Sequence, residues 1–216
     1  MNAPSEVNAA IGRAQLLPVL VIEDALQIVA VADALRDGGV PVVEITCRTA
    51  AALDAIRRLR AERPDMLVGA GTVLTIAQLQ AVLDAGAQFV VSPALNPDVV
   101  RSCQARDVAV YPGVATATEI DAALRLDLRI LKLFPAEVIG GTAMIDAMGA
   151  VFPDVRFIPT GGLRREHLQR YAATGRVLAC GGGWMVRPEW IRDGQFDRVR
   201  TEVIASLAEL SSRAVQ

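Results

Sequence analysis

Short apolar runs rich in Val, Ile and Leu recur along the chain at roughly 20-residue intervals, separated by stretches whose apolar residues follow helical spacing. The runs are LPVLVI (17–22), VVEITC (42–47), MLVGAG (66–71), QFVVSP (88–93), VAVYPG (108–113), RILKLFP (129–135), VRFIPT (155–160) and RVLACGG (176–182), eight predicted strands in all. Helical spacing is clearest in DALQIVAVADALRDGG (24–39), TAAALDAIRRLRAER (49–63), TIAQLQAVLDAG (75–86) and TATEIDAALRLD (116–127). Several of these open on Thr or Asp, whose side chains cap a helix, and close at Gly, which ends one. Strand and helix therefore alternate. Strands that are apolar on both faces imply a parallel sheet covered on both sides. Eight such units predict an α/β fold, a (β/α)8 TIM barrel, as a single domain over residues 1–216, with residues 1–15 a short N-terminal helix or arm. An open doubly wound sheet is the alternative, but no GxGxxG opens the first helix.

In a barrel the chemistry sits at the carboxyl ends of the strands, so the residues closing each run come next. On the second run Glu44, Thr46 and Arg48 are spaced by two, which places them on one face. A charge in an apolar strand is rare unless paired or functional; the plain alternative is a structural Glu44–Arg48 ion pair. On the sixth run Lys132 and Phe134 share a face, with Leu131 and Leu133 on the other.

Composition sharpens the lysine. Of 22 Lys plus Arg residues, Lys132 is the only Lys. Arg stays protonated at ordinary pH, whereas a desolvated Lys loses its proton more readily and attacks carbonyls, so Lys132 is a candidate imine-forming nucleophile. Glu44 is then a candidate proton carrier, and Arg48 a fork for a carboxylate. Two glycine clusters, PTGGL (159–163) and CGGGW (180–184), follow the last two strands, the usual phosphate cradle of barrels.

Other classes fit less well. The formal net charge is -2 with no basic cluster, which argues against nucleic acid or an anionic membrane as partner and favours a small-molecule substrate. Cys47, Cys103 and Cys180 are far apart and odd in number, so neither a disulfide framework nor a zinc site is expected, and the compartment is reducing. Neither an apolar span of ~20 residues nor a leader pattern is seen, which predicts a cytoplasmic protein. His167 is the only histidine and reads as part of a solvated helical face, which leaves a His-based metal cage or triad without support. Trp184 and Trp190 read as packing residues. No cofactor and no metal are expected. A phosphate-binding barrel isomerase or a non-catalytic binding protein are the rivals from other classes, and neither needs an amine inside a strand.

The ordered set VVEITCRT, VGAGTV, VVSPALN, LKLFPAE, PTGG and CGGGW closely resembles the 2-keto-3-deoxy-6-phosphogluconate (KDPG) aldolase family, which overlaps with 4-hydroxy-2-oxoglutarate (KHG) aldolase. The resemblance runs from about Leu17 to about Phe196. It implies a metal-independent class I aldolase on a (β/α)8 barrel, a homotrimer, acting in the Entner-Doudoroff pathway. It implies Lys132 as the Schiff-base residue and Glu44 as general acid and base, with Arg48 and Thr72 holding the pyruvate carboxylate. Pro93 and Phe134 resemble the walls of the pyruvyl pocket, Thr160 the contact to the hydroxyl and aldehyde end, and Gly161 with Gly162 the phosphate-binding turn. Where the family reads GGSW, with a serine at the phosphate, this chain has Gly183, so a hydroxyl contact is missing. A main substrate that is unphosphorylated KHG or another keto-deoxy sugar acid is the alternative within the same chemistry.

Overall fold

The computed structural model describes residues 3–211 of the chain. Parallel strands form at all eight apolar runs: β1 (Leu16–Leu20), β2 (Val42–Thr46), β3 (Leu67–Gly71), β4 (Phe89–Val91), β5 (Ala109–Tyr111) with its continuation β6 (Gly113–Val114), β7 (Ile130–Leu133), β8 (Arg156–Pro159) and β9 (Cys180–Gly182). Helices α1 (Pro4–Ala14), α2 (Ile28–Asp37), α3 (Ala52–Glu62), α4 (Ile76–Asp84), α5 (Pro97–Gln104), α6 (Ala117–Leu124), α7 (Gly141–Val151), α8 (Leu168–Ala173), α9 (Pro188–Arg192) and α10 (Phe196–Ser211) occupy the intervals and the ends.

The caps explain where the helices begin. The Thr75 hydroxyl oxygen accepts from Gln78 N (3.2 Å) while the Gln78 side-chain oxygen accepts from Thr75 N (3.1 Å), so two otherwise orphaned donors are satisfied at the head of α4. Asn96 and Thr116 do the same work with one side chain each at α5 and α6. The segment opening at Asp24 starts later than its pattern predicts: a 3-10 turn over Ala25–Gln27, capped by Asp24, precedes α2.

The predicted closed ring is not one continuous ladder. Six strands pair in the order β5-β4-β3-β2-β1-β9 and three in the order β6-β7-β8, so the architecture shown is an α/β fold whose parallel sheet forms a half-barrel. Pro112 is the physical cause of one break. It has no N–H to give, so the run splits there: β5 pairs with β4 and β6 with β7, while the Pro112 carbonyl accepts from Lys132 N at 2.9 Å. Between β8 and β9 only isolated bridges form, Thr160 to Gly181 and Phe157 to Val177. The core runs through the sheet onto the helices. α1 buries Val7 and Ile11 fully, beside the starts of β7 and β8, and its Asn8 accepts a hydrogen bond from the buried Tyr111 hydroxyl (2.6 Å).

Candidate active site

Each of the two apolar ladders carries one charge on an inner strand. Glu44 lies on β2 beside Val19 of β1 and Gly69 of β3, and Lys132 lies on β7 between Gly113 of β6 and Ile158 of β8. Both side chains are buried, 1% exposed for Glu44 and 5% for Lys132. Lys132 Nζ is 3.5 Å from Glu44 Oε1, within ion-pair range, yet neither carboxylate oxygen has a hydrogen-bond partner among the described residues. The partner of Glu44 is thus Lys132 rather than Arg48. Space for the carboxylate comes from the next strand: a Cβ at Gly71 would stand 2.0 Å from Glu44 Oε1. Removing two charges from water costs several kcal/mol per ion, and here further hydrogen bonds do not offset it. The arrangement keeps an amine beside a base with lone pairs to spare, which suits carbonyl attack and proton transfer.

A cavity of about 200 Å³ adjoins the pair at the carboxyl ends of the strands, lined by Arg48, Phe134, Thr160, Gly161, Gly162 and Gly183. Phe134 links it to the amine, with Lys132 Nζ 5.2 Å from its ring centroid. Thr72 joins through a long hydrogen bond from Arg48 Nε (3.5 Å) and holds φ at +60°, a conformation costly for a β-branched residue. Pro93 is not on the cavity wall. It sits one strand away, where a Cβ at Gly113 would meet its carbonyl oxygen at 2.1 Å. Val21 and Leu163 add apolar wall that sequence patterning had not singled out. A larger cavity, about 340 Å³, lies on the side of Asn8, Tyr111 and Asp127. Its wall lacks Phe134, the residue that stands against the Lys132 amine, so size does not mark the chemistry here.

The other candidates fall into place around this centre. His167 is not on a solvated face: its side chain is 21% exposed and its Nδ1 stands 3.4 Å from Glu137 Oε2. Glu137 itself, in the quoted LKLFPAE motif but given no role from sequence, accepts from Tyr171 Oη and Arg170. Burial opposes its ionisation, and the Tyr171 hydrogen bond with the His167 and Arg170 charges outweighs it, holding the carboxyl below its ordinary range. Trp184 is buried and donates to Ser206 Oγ (3.1 Å), while Trp190 lies beneath the Arg187 guanidinium at 4.8 Å, as packing residues would. Cys103 and Cys180 are free thiols that burial pushes up to about 12. Among the described residues no three His, Cys, Asp or Glu side chains gather as a metal site, and no helix is long and apolar enough to cross a membrane.

Comparison with known proteins places these features in a wider set. A family model described as KDPG and KHG aldolase matches residues 7–202. The 2-dehydro-3-deoxy-phosphogluconate aldolase of Treponema pallidum (strain Nichols) is 47% identical over 190 residues, 88% of this chain and 90% of that protein. Among solved structures, KDPG aldolase from Legionella pneumophila, with pyruvate captured as a covalent carbinolamine intermediate, superposes with a TM-score of 0.90 at 34% identity, over 95% of this chain and 98% of that one. The Zymomonas mobilis ZM4 KDPG aldolase with 3-phosphoglycerate gives 0.87 at 37% identity, over 94% and 96%.

Proposed function

Because the chain belongs to the KDPG and KHG aldolase family, we propose that it is a class I aldolase that cleaves 2-dehydro-3-deoxy-6-phosphogluconate to pyruvate and glyceraldehyde 3-phosphate, and that it also acts on 4-hydroxy-2-oxoglutarate. The observation that carries the reading is the buried Lys132–Glu44 pair. Glu44 takes the ammonium proton, and the free Lys132 amine attacks C2 of the keto acid to give a carbinolamine. Glu44 returns that proton to the carbinolamine hydroxyl, which leaves as water, so a protonated imine and an ionised Glu44 remain. Glu44, through a water, accepts the C4 hydroxyl proton as the C3–C4 bond breaks and its electron pair flows into the imine. The aldehyde departs, the resulting enamine takes a proton at C3, and water releases pyruvate and restores the amine.

Within the cavity, Arg48 with Thr72 holds the pyruvate carboxylate, Phe134 walls the pyruvyl group, Thr160 meets the hydroxyl and aldehyde end, and Gly161, Gly162 and Gly183 receive the phosphate through backbone N–H groups. The reaction needs neither cofactor nor metal. The Thr160 to Gly181 bridge and the shared run 109–114 support closure of the two sheets into one (β/α)8 barrel, a single domain over residues 1–216. A cytoplasmic homotrimer completes the proposal.

Incubation with pyruvate and borohydride tests the chemistry, because reduction traps an imine as a stable amine. Intact mass should show one reduced pyruvyl adduct, absent in Lys132→Ala. In Glu44→Gln, turnover should fall by roughly 10² to 10⁴. A folded wild-type protein that forms no adduct would exclude the Schiff-base reading and favour an isomerase or binding protein.

A further inference from the structure

We infer that Glu137 is a positioning residue for the phosphate, holding the Gly161–Gly162 turn in its anion-binding shape from outside the cavity. The inference rests on the proposed role of that turn. Beyond the end of β7 the chain continues to pair with the segment after β8: Thr160 N donates to Leu133 O (2.9 Å), Ala136 N to Thr160 O (2.8 Å) and Glu137 N to Gly161 O (3.1 Å). The last of these bonds fixes one peptide plane. In a trans peptide the C=O and N–H point opposite ways, so tying the Gly161 carbonyl to Glu137 turns the Gly162 N–H away from that loop. Among the described residues the N–H groups of Gly161, Gly162 and Leu163 donate to no backbone carbonyl, although all three residues line the cavity.

The side chain completes the brace. A Cβ at Gly162 would stand 2.8 Å from Glu137 Cβ, so the turn rests directly on this residue, and both glycines hold positive φ, +99° and +82°. The carboxylate is anchored at three points: Tyr171 Oη and Arg170 donate to it from α8, and His167 Nδ1 lies 3.4 Å away. It also lies against the first turn of α7, where a Cβ at Gly141 would be 3.3 Å from Oε1, so the helix dipole favours its charge. Glu137 itself has no place on the cavity wall. It reaches the cavity through the turn it supports.

Steady-state kinetics of wild type, Glu137→Gln and Tyr171→Phe on two substrates test this. On the phosphorylated KDPG, KM should rise about tenfold in Glu137→Gln, the effect of losing a charge-assisted anchor, with a smaller rise in Tyr171→Phe. On 4-hydroxy-2-oxoglutarate, which carries no phosphate, kcat and KM should stay at the wild-type values, as should the yield of the borohydride-trapped pyruvate adduct. A general structural defect would instead lower both activities together with Tm, and that result overturns the inference. So does an undiminished advantage for the phosphorylated substrate in both variants. If wild type itself shows no advantage for the phosphorylated substrate, the phosphate-turn reading falls and takes the inference with it.

Discussion

Gly183 is the residue at which this chain departs from the family's phosphate motif, and its surroundings show that the glycine is not a backbone requirement. Its φ lies outside the left-handed region, and an added Cβ would meet only the Val19 carbonyl, at an ordinary 3.4 Å. Gly71 is the opposite case, because a side chain there would collide with Glu44. Gly183→Ser should therefore fold normally and place a hydroxyl at the cavity. The expected result is a KM for the phosphorylated substrate lower by about two- to tenfold, the worth of one neutral hydrogen bond, with the KHG reaction unchanged. Parallel kinetics on the two substrates would show it. An unchanged KM would mean that backbone N–H groups already satisfy the anion.

Helix-to-helix ties govern how the elements respond to acid. Asp33 on α2 accepts two hydrogen bonds of 2.6 Å from the Arg63 guanidinium at the end of α3. That hydrogen bonding, together with the Arg63 and Arg36 charges, outweighs partial desolvation and holds the Asp33 carboxyl below its ordinary 3.8. A carboxyl depressed in the folded state binds its proton more readily in the unfolded chain. Its stabilisation is thus fully present above 3.8 and is lost as pH falls through the lower folded value. Asp33→Asn should accordingly lower the urea midpoint at pH 6, with the gap to wild type closing as the solution is acidified below the ordinary carboxyl range. A gap that stays constant with pH would assign the loss to packing instead. Elements were also where local sequence was most informative: Thr75, Asn96 and Thr116 cap α4, α5 and α6 by short-range hydrogen bonds that need nothing from the rest of the fold.

At the scale of the whole molecule, the two ends of the strands carry different burdens. Catalytic candidates gather at the carboxyl ends, while α1, whose Ile11 is fully buried, sets its Asn8 and Gly12 beside the starts of β7 and β8. Ile11→Ala should cost about 2–5 kcal/mol in chemical denaturation and leave kcat and the ratio between the two substrates unchanged. A change in that ratio would mean that the ends are coupled. The division between what is local and what is not also runs through the site. The sequence by itself determined the eight apolar runs and the strand parity that puts Glu44 with Thr46 and Lys132 with Phe134. It also marked Lys132 as the lone lysine and gave the family resemblance, because periodicity and residue type are properties of neighbours along the chain. Only the tertiary structure decided that Lys132 stands 3.5 Å from Glu44, that Pro93 is off the cavity wall, that Pro112 divides one run between two sheets, and that Glu137 and His167 meet beneath the Gly161–Gly162 turn. Those facts depend on register and on contacts between residues distant in sequence, and chain folding alone brings such residues together.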